Sequence, residues 1–316
     1  MKKNVVMLTA VLLLVLCLFA GAAFADEAVN TRVYTLNGTT GFGMAGMIAD
    51  AKPGYSFTVE TDPSVVTAAL VSGDCDIAAL PTNAAAALYN KTEGKVQVLA
   101  LNTRGVLYLV TDGKEKIESI SDLNGKTVYA PAQNPSFIFA ALCSKCGIEL
   151  DIDTSYAQPA ELNAAVAAGK VGLAVLPEPM VTVAKSQNQD LVVALDLTKE
   201  WDKVMEPGSL VQGCVVVRRD FVEQNPDAVK AFLADYEASV RLLSEDVQAA
   251  AGKIEAAGIF NKAAVAAKAI PNCNVCFVTG EQMQRELGAF LEIMFEKAPQ
   301  SVGGKLPGDD FYCILK

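Results

Sequence analysis

The stretch DPSVVTAALVSGDCDIAALP (62–81) has a counterpart in QPAELNAAVAAGKVGLAVLP (158–177), aligned without a gap at an offset of 96. Pro63 and Pro159 stand where a helix begins, because proline's fixed φ suits the first helical position and that position needs no N–H donor. Ala68-Ala69-Leu70 and Ala164-Ala165-Val166 supply small apolar faces for close packing on a sheet. Gly73 and Gly169 end each helix in the left-handed conformation that glycine adopts without strain. A short apolar strand follows in each copy and stops at Pro81 or Pro177. Just upstream, Val33-Tyr34 and Val128-Tyr129 fall at nearly the same offset, each opening a strand. The repeat predicts two α/β lobes of like construction.

Read outward from the repeat, strand and helix patterns alternate, which predicts mainly parallel sheets flanked by helices. Strands are expected at 32–36, 56–60, 76–80 and 96–101 in the first lobe. In the second they are expected at 127–130, 154–156, 173–176 and 191–196. The apolar run 106–111 ends in the turn signal Asp112-Gly113 and is read as carrying the chain toward the second lobe. A strand at 213–218 is read as the return. Asn225 with Pro226 and Asp227, and later Thr279-Gly-Glu-Gln282, carry helix-start signatures. The expected division is a leader at 1–25, lobe 1 at 26–111 and 210–316, and lobe 2 at 112–209, with ordered hinges at the two crossovers.

Lys2 and Lys3 precede an apolar run to Ala22, and Ala23-Phe24-Ala25 then meets Asp26-Glu27. Small residues at −3 and −1 fit leader cleavage after Ala25, so export to the periplasm or the cell surface is expected. Leu16 precedes Cys17 where a lipid-modified cysteine needs a small residue, which argues against lipid anchoring. Cleavage removes two of the 26 basic residues and leaves 24 against 36 acidic ones, a net charge of −12. Such a chain repels phosphate backbones, and nucleic acid is excluded as a partner. The chain has no histidine, which excludes imidazole-based catalysis and His-ligated zinc. Cys143/Cys146 and Cys273/Cys276 form two CxxC pairs too far apart for a zinc module. The first is read as helical neighbours and the second as a candidate local disulfide. No cofactor and no metal site are expected.

Ligands of open α/β sheets sit beyond the C-terminal strand ends, near helix starts. In the first lobe those ends carry Thr39, Thr40, Gly41, Phe42 and Gly43, a Gly-rich turn able to hold an anionic group. They also carry Thr82 and Asn83 after Pro81, and Asn102 with Arg104, the candidate counter-charge for an anion. In the second lobe they carry Gln133, Asn134 and Ser136, and Glu178, an acceptor for an amine or ring N–H. Phe42 is a candidate for stacking on a flat ligand, although an aromatic after a turn commonly belongs to the core.

GTTGFGM (38–44), SGDCDI (72–77), LPTN (80–83), ISDLNGKTV (120–128), LPEP (176–179) and VVVRRDF (215–221) with Asn225-Pro226 occur in that order. This series resembles the substrate-binding proteins of ABC importers, in the nitrate, taurine, sulfonate and thiamine-precursor group. The resemblance implies a type II periplasmic-binding-protein-like fold with a ligand cleft between the lobes. It also implies a monomer that captures a small solute, is not an enzyme, and has an ABC permease and its ATPase as partners. The alternatives kept open are an enzyme on the same fold, of small-acid lyase or dehydratase type, and a binding protein of a TRAP-type transporter or a sensor.

Overall fold

Two mixed sheets organise the computed structural model, which describes residues 30–315; the expected leader, 1–25, lies outside the described residues. The chain first lays down β1 (Thr31–Leu36), β2 (Tyr55–Glu60), β3 (Ile77–Pro81) and β4 (Val96–Arg104). It then forms β5 (Leu107–Thr111), β6 (Thr127–Tyr129), β7 (Asp151–Asp153), β8 (Leu173–Pro177) and β9 (Val192–Asp196). β10 (Val211–Arg218) and β11 (Val275–Val278) complete the set. The sheet orders are β11-β4-β10-β3-β1-β2 and β7-β6-β8-β5-β9. Laid over one another, they match β1 with β6, β2 with β7, β3 with β8, β10 with β5 and β4 with β9. The sequence repeat is therefore a repeat of structure.

Its punctuation works as the residues require. Pro63 and Pro159 open the helices Pro63–Ser72 and Pro159–Ala167. Asp62 caps the first by accepting from the Ser64 N–H at 2.8 Å, and Gly73 ends it at φ 84°. In the second copy Gly169 holds φ 69°.

The sheets are mixed, with four strands of each lobe pointing one way: β1 to β4 in lobe 1 and β6 to β9 in lobe 2, while β10 is antiparallel to β3 and β4, as β5 is to β8 and β9. The cause of the reversal is topological, since β10 and β5 are each delivered by a crossover from the other lobe and enter their sheets at the hinge end. One sequence expectation changes, as the first crossover lies earlier than Thr111. β5 pairs with β8 and β9 in the second sheet, so the chain changes lobes at Gly105-Val106.

The two crossovers lie side by side. A Cβ on Gly105 would stand 2.2 Å from Thr198 Oγ1 and 2.5 Å from Leu210 Cδ2, so glycine lets the strands approach. The Val106 N–H donates to Gln212 Oε1 at 2.8 Å, and Asn274 Nδ2 donates to the Gly105 carbonyl at 2.6 Å. These bonds satisfy backbone groups that leave one sheet before joining the other.

One apolar core runs through both lobes, from Val98, Leu101 and Val211 to Phe139 and Trp201. The helix Gly280–Lys297 bridges it, burying Met283, Leu287, Phe290, Leu291 and Met294. Phe290 meets Trp201 of the second lobe with ring centroids 6.2 Å apart, and Lys297 Nζ donates to Ser144 Oγ at 2.7 Å. The tail is fastened to lobe 1 by Asp310, which accepts from Tyr89 and pairs with Arg219 at 2.7 Å. Among the described residues no helix is long and apolar enough to cross a membrane.

Candidate functional site

The turns after β3 and β8 lie at the hinge end of their sheets, because Pro81 pairs with Gly213 and Pro177 with Leu107, each near the start of a crossover-derived strand. Hydrogen bonds join the lobes at this end. Thr39 Oγ1 donates to the Glu178 carbonyl at 2.9 Å, and Asn134 Nδ2 donates to Asn83 Oδ1 at 2.8 Å. Tyr108 OH, on β5, donates to the Asn272 carbonyl at 2.8 Å. Thr39 sits in the short helix Thr39–Phe42, Asn83 in Thr82–Lys91 and Asn134 in Asn134–Lys145, so three helix starts converge on one seam.

Of the residues expected at the site, Thr39, Asn83, Asn134 and Glu178 meet across this seam. Thr40 lies just behind, its carbonyl accepting from Asn102 Nδ2 at 3.2 Å. Gly41 supports the turn, since a Cβ there would stand 2.1 Å from the Leu36 carbonyl oxygen. Gly43 is hemmed in by Tyr236 in the same way, with its hydroxyl 2.6 Å from the Cβ position. Gln133 is exposed, at φ 65°, and its carbonyl accepts from Ser136 Oγ at 2.9 Å.

Four residues have structural partners instead of facing the seam. Phe42 is fully buried, edge-on to Phe260 at 6.4 Å, and belongs to a core cluster. Thr82 is buried and donates to the Val211 carbonyl at 2.8 Å. Asn102 is buried and accepts from Thr103 Oγ1 at 3.0 Å. Arg104, read from the sequence as an anion's counter-charge, donates to the Gly208 carbonyl at 2.7 Å and pairs with buried Glu286 at 2.9 Å. It ties the second crossover to the helix Gly280–Lys297. A half-buried guanidinium so held is not free to meet a ligand.

Glu178 is the acid of the seam. Its carboxylate accepts from the Thr182 N–H at 3.1 Å and from Thr182 Oγ1 at 2.9 Å, and the Asn272 side chain also reaches it. Burial raises its pKa, and the hydrogen bonds from Thr182 and Asn272 only partly oppose this. Burial likewise pushes up the Cys273 thiol, which lies beside Thr39 and Glu178, and the Tyr108 hydroxyl.

Sequence reasoning missed Tyr108, Asn272 and Thr182. Tyr108 lies in the run read as a connection, and Asn272 in the segment read for its cysteines; the only usable signal was an Asn beside a helix end. Cys273 and Cys276 are free thiols. They pack into different clusters, one with Phe42 and the other with the main core, so the expected local disulfide is absent. An open depression of about 420 Å³, lined by Thr111, Asp112, Lys126, Thr127 and Leu173, lies at the opposite strand ends of lobe 2. It is separate from the seam.

Two α/β lobes with matching strand orders, two adjacent crossovers and a polar seam at the hinge end define a type II periplasmic-binding-protein-like fold. Solved structures share it. An ABC transporter structure from Parabacteroides distasonis is 24% identical, with a TM-score of 0.78 over 92% of this chain and 100% of that one. The periplasmic aliphatic sulphonate binding protein SsuA from Escherichia coli is 14% identical, at 0.71 over 91% and 94%. The periplasmic nitrate-binding protein NrtA from Synechocystis is 16% identical, at 0.54 over 72% and 66%. The family model described as menaquinone biosynthesis matches residues 42–269, and the chain belongs to that family. No curated protein matches the sequence.

Proposed function

We propose that the chain is an exported solute-binding protein that closes its two lobes on a small molecule and presents it to an ABC permease. The observation that carries this reading is the seam. Thr39 meets Glu178, and Asn134 meets Asn83, across lobes joined by two side-by-side crossovers, which is where hinge closure would enclose a solute. Fixed amide, hydroxyl and carboxyl groups there suit orientation of a small ligand. The leader pattern ending at Ala25 supports work outside the cytoplasm. Small-angle scattering tests the proposal. A solute that raises the melting temperature should also compact the protein, and an unchanged envelope with solute bound would count against lobe closure.

The family's description favours a second reading, an enzyme of menaquinone biosynthesis acting on a small acid in the same seam. Glu178 is then the acid–base group, a buried carboxyl with a raised pKa beside Thr39 and Tyr108. Mass spectrometry of candidate small acids incubated with the protein separates the two readings. Turnover lost in Glu178→Gln supports the enzyme, while binding without turnover supports transport.

A further inference from the structure

We infer that the lobes part on one side only. The side of the helix Gly280–Lys297 stays shut and acts as the pivot, while a mouth opens where the Tyr108 and Thr39 hydroxyls latch lobe to lobe on the carbonyls of Asn272 and Glu178. Both readings above need this way in.

Strand alternation gives each sheet two faces. β3 turns Ala78 and Leu80 to one face and Ile77 and Ala79 to the other, and β5 does the same with Leu107 and Leu109 against Tyr108 and Val110. On the first face an apolar core continues from lobe to lobe, with Phe290 and Met294 of the bridging helix packed in it alongside Phe139 and Trp201 of lobe 2. This side is also fastened to the crossovers. Arg104, the last residue of β4, joins the Gly208 carbonyl to Glu286 of the bridging helix. Trp201 Nε1 donates to Ser209 Oγ at 2.9 Å, just ahead of β10. Parting the lobes here would bring hydrocarbon into water and break the fastening.

On the second face the apolar clusters stop at the lobe boundary. Among the described residues, the cluster around Phe42, Ile270 and Cys273 is built from lobe 1 alone, and the cluster around Tyr108, Leu162 and Val181 from lobe 2 alone. The helix Ala263–Ala269 lies against the helix Met180–Gln187, and its sequence AAVAAKA offers little more than methyl groups. Hydrogen bonds cross the boundary instead. Tyr108 OH donates to the Asn272 carbonyl at 2.8 Å, and Thr39 Oγ1 to the Glu178 carbonyl at 2.9 Å. Both pair a neutral hydroxyl with a backbone carbonyl, which water replaces at small net cost. The bond from Asn134 to Asn83 lies toward the pivot, since Asn83 Nδ2 also donates to the Ser301 carbonyl, beyond the end of the bridging helix, at 3.4 Å.

Native side chains report on the two sides in the full mature chain, and no ligand is needed. Cys273 is fully buried beside Thr39 and Glu178, on the mouth side. Cys276 packs against the shared core near Arg104 and Glu286, on the pivot side. N-ethylmaleimide labelling of each thiol, located by tandem mass spectrometry, is timed in the wild type, Thr39→Val and Tyr108→Phe. Each variant removes one latch donor and keeps the bulk of the side chain. The Cys273 rate should rise about fivefold, because losing one hydrogen bond enlarges the open population. The rates of Cys276 and of Cys214, buried within the lobe 1 sheet, should match the wild type. The emission of Trp201, the chain's only tryptophan, should not shift. A Cys273 rate unchanged in both variants would overturn the latch. Cys276 or Trp201 responding in step with Cys273 would overturn the fixed pivot, and a rise shared by Cys214 would replace one-sided opening with general loosening. Should the variants fail to fold, the wild type decides the point. Opening one side exposes little surface, so urea should accelerate Cys273 labelling far less than Cys214 labelling. An equal urea dependence would mean that Cys273 is reached only by global unfolding, and the mouth would be disproved.

Discussion

Replacing Arg104 with methionine separates a structural role from a ligand-binding one. The substitution leaves Glu286, whose side chain is only 7% exposed, without its ion-pair partner, and the Gly208 carbonyl without its donor. Removing one member of a fully buried pair costs about 3–5 kcal/mol. The Arg104 side chain is 25% exposed, and Gln282 Nε2 still donates to Glu286 at 2.9 Å, so part of the loss is screened or retained. That places the cost at about 2–3 kcal/mol. In a chain of this size each kcal/mol moves the melting temperature by about 2 °C, so Arg104→Met should melt about 4–6 °C lower. Calorimetric melts of the wild type, Arg104→Met, Glu286→Leu and the double variant form a cycle. The double variant leaves no orphaned charge and should return to within about 2 °C of the wild type. Solute affinity measured well below the melt should be nearly unchanged. If Arg104→Met melts like the wild type but loses solute binding, the reasoning is refuted, and Arg104 is a ligand-reading residue after all.

Gly41→Ala forces a Cβ against the Leu36 carbonyl oxygen, a backbone atom unable to swing aside. It should destabilise the protein by about 1–3 kcal/mol in urea unfolding, and an unshifted midpoint would show that the turn is less constrained than described. The thiols should react in two groups with Ellman's reagent. Cys146 and Cys313, part-exposed, should label in the native state, whereas Cys75 and Cys143, pushed up to about 12, and fully buried Cys214 should wait for denaturant. Rapid native labelling of Cys214 would contradict the packing of β10 between β3 and β4.

The twin-lobe architecture was legible in the sequence because its markers are proline and glycine, whose backbone demands are local. Pro63, Gly73 and Pro81 mean the same thing wherever they occur, and so do their counterparts. The placement of β5 was not legible. An apolar run such as 106–111 looks the same whether it joins two lobes or fills the middle of a sheet, since its neighbours, β8 and β9, lie far along the chain. The ion pair of Arg104 was hidden for a similar reason, as Glu286 stands 182 residues away and nothing near Arg104 announces it. That Thr39, Asn83, Asn134 and Glu178 gather at one end of the sheets was legible because strand ends and helix starts locate them. Asn272 was overlooked because its segment was read for cysteines alone.

The interleaving of β10 between β3 and β4 also sets an order for biogenesis. A nascent chain that has emerged only through Arg104 holds four strands of its first sheet with a gap at the centre. It must wait until Arg218 appears before that gap can be filled. The second lobe has all five of its strands by Asp196 and is the first unit whose sheet can close. Synthesis from the amino terminus therefore finishes the middle of this molecule before its beginning.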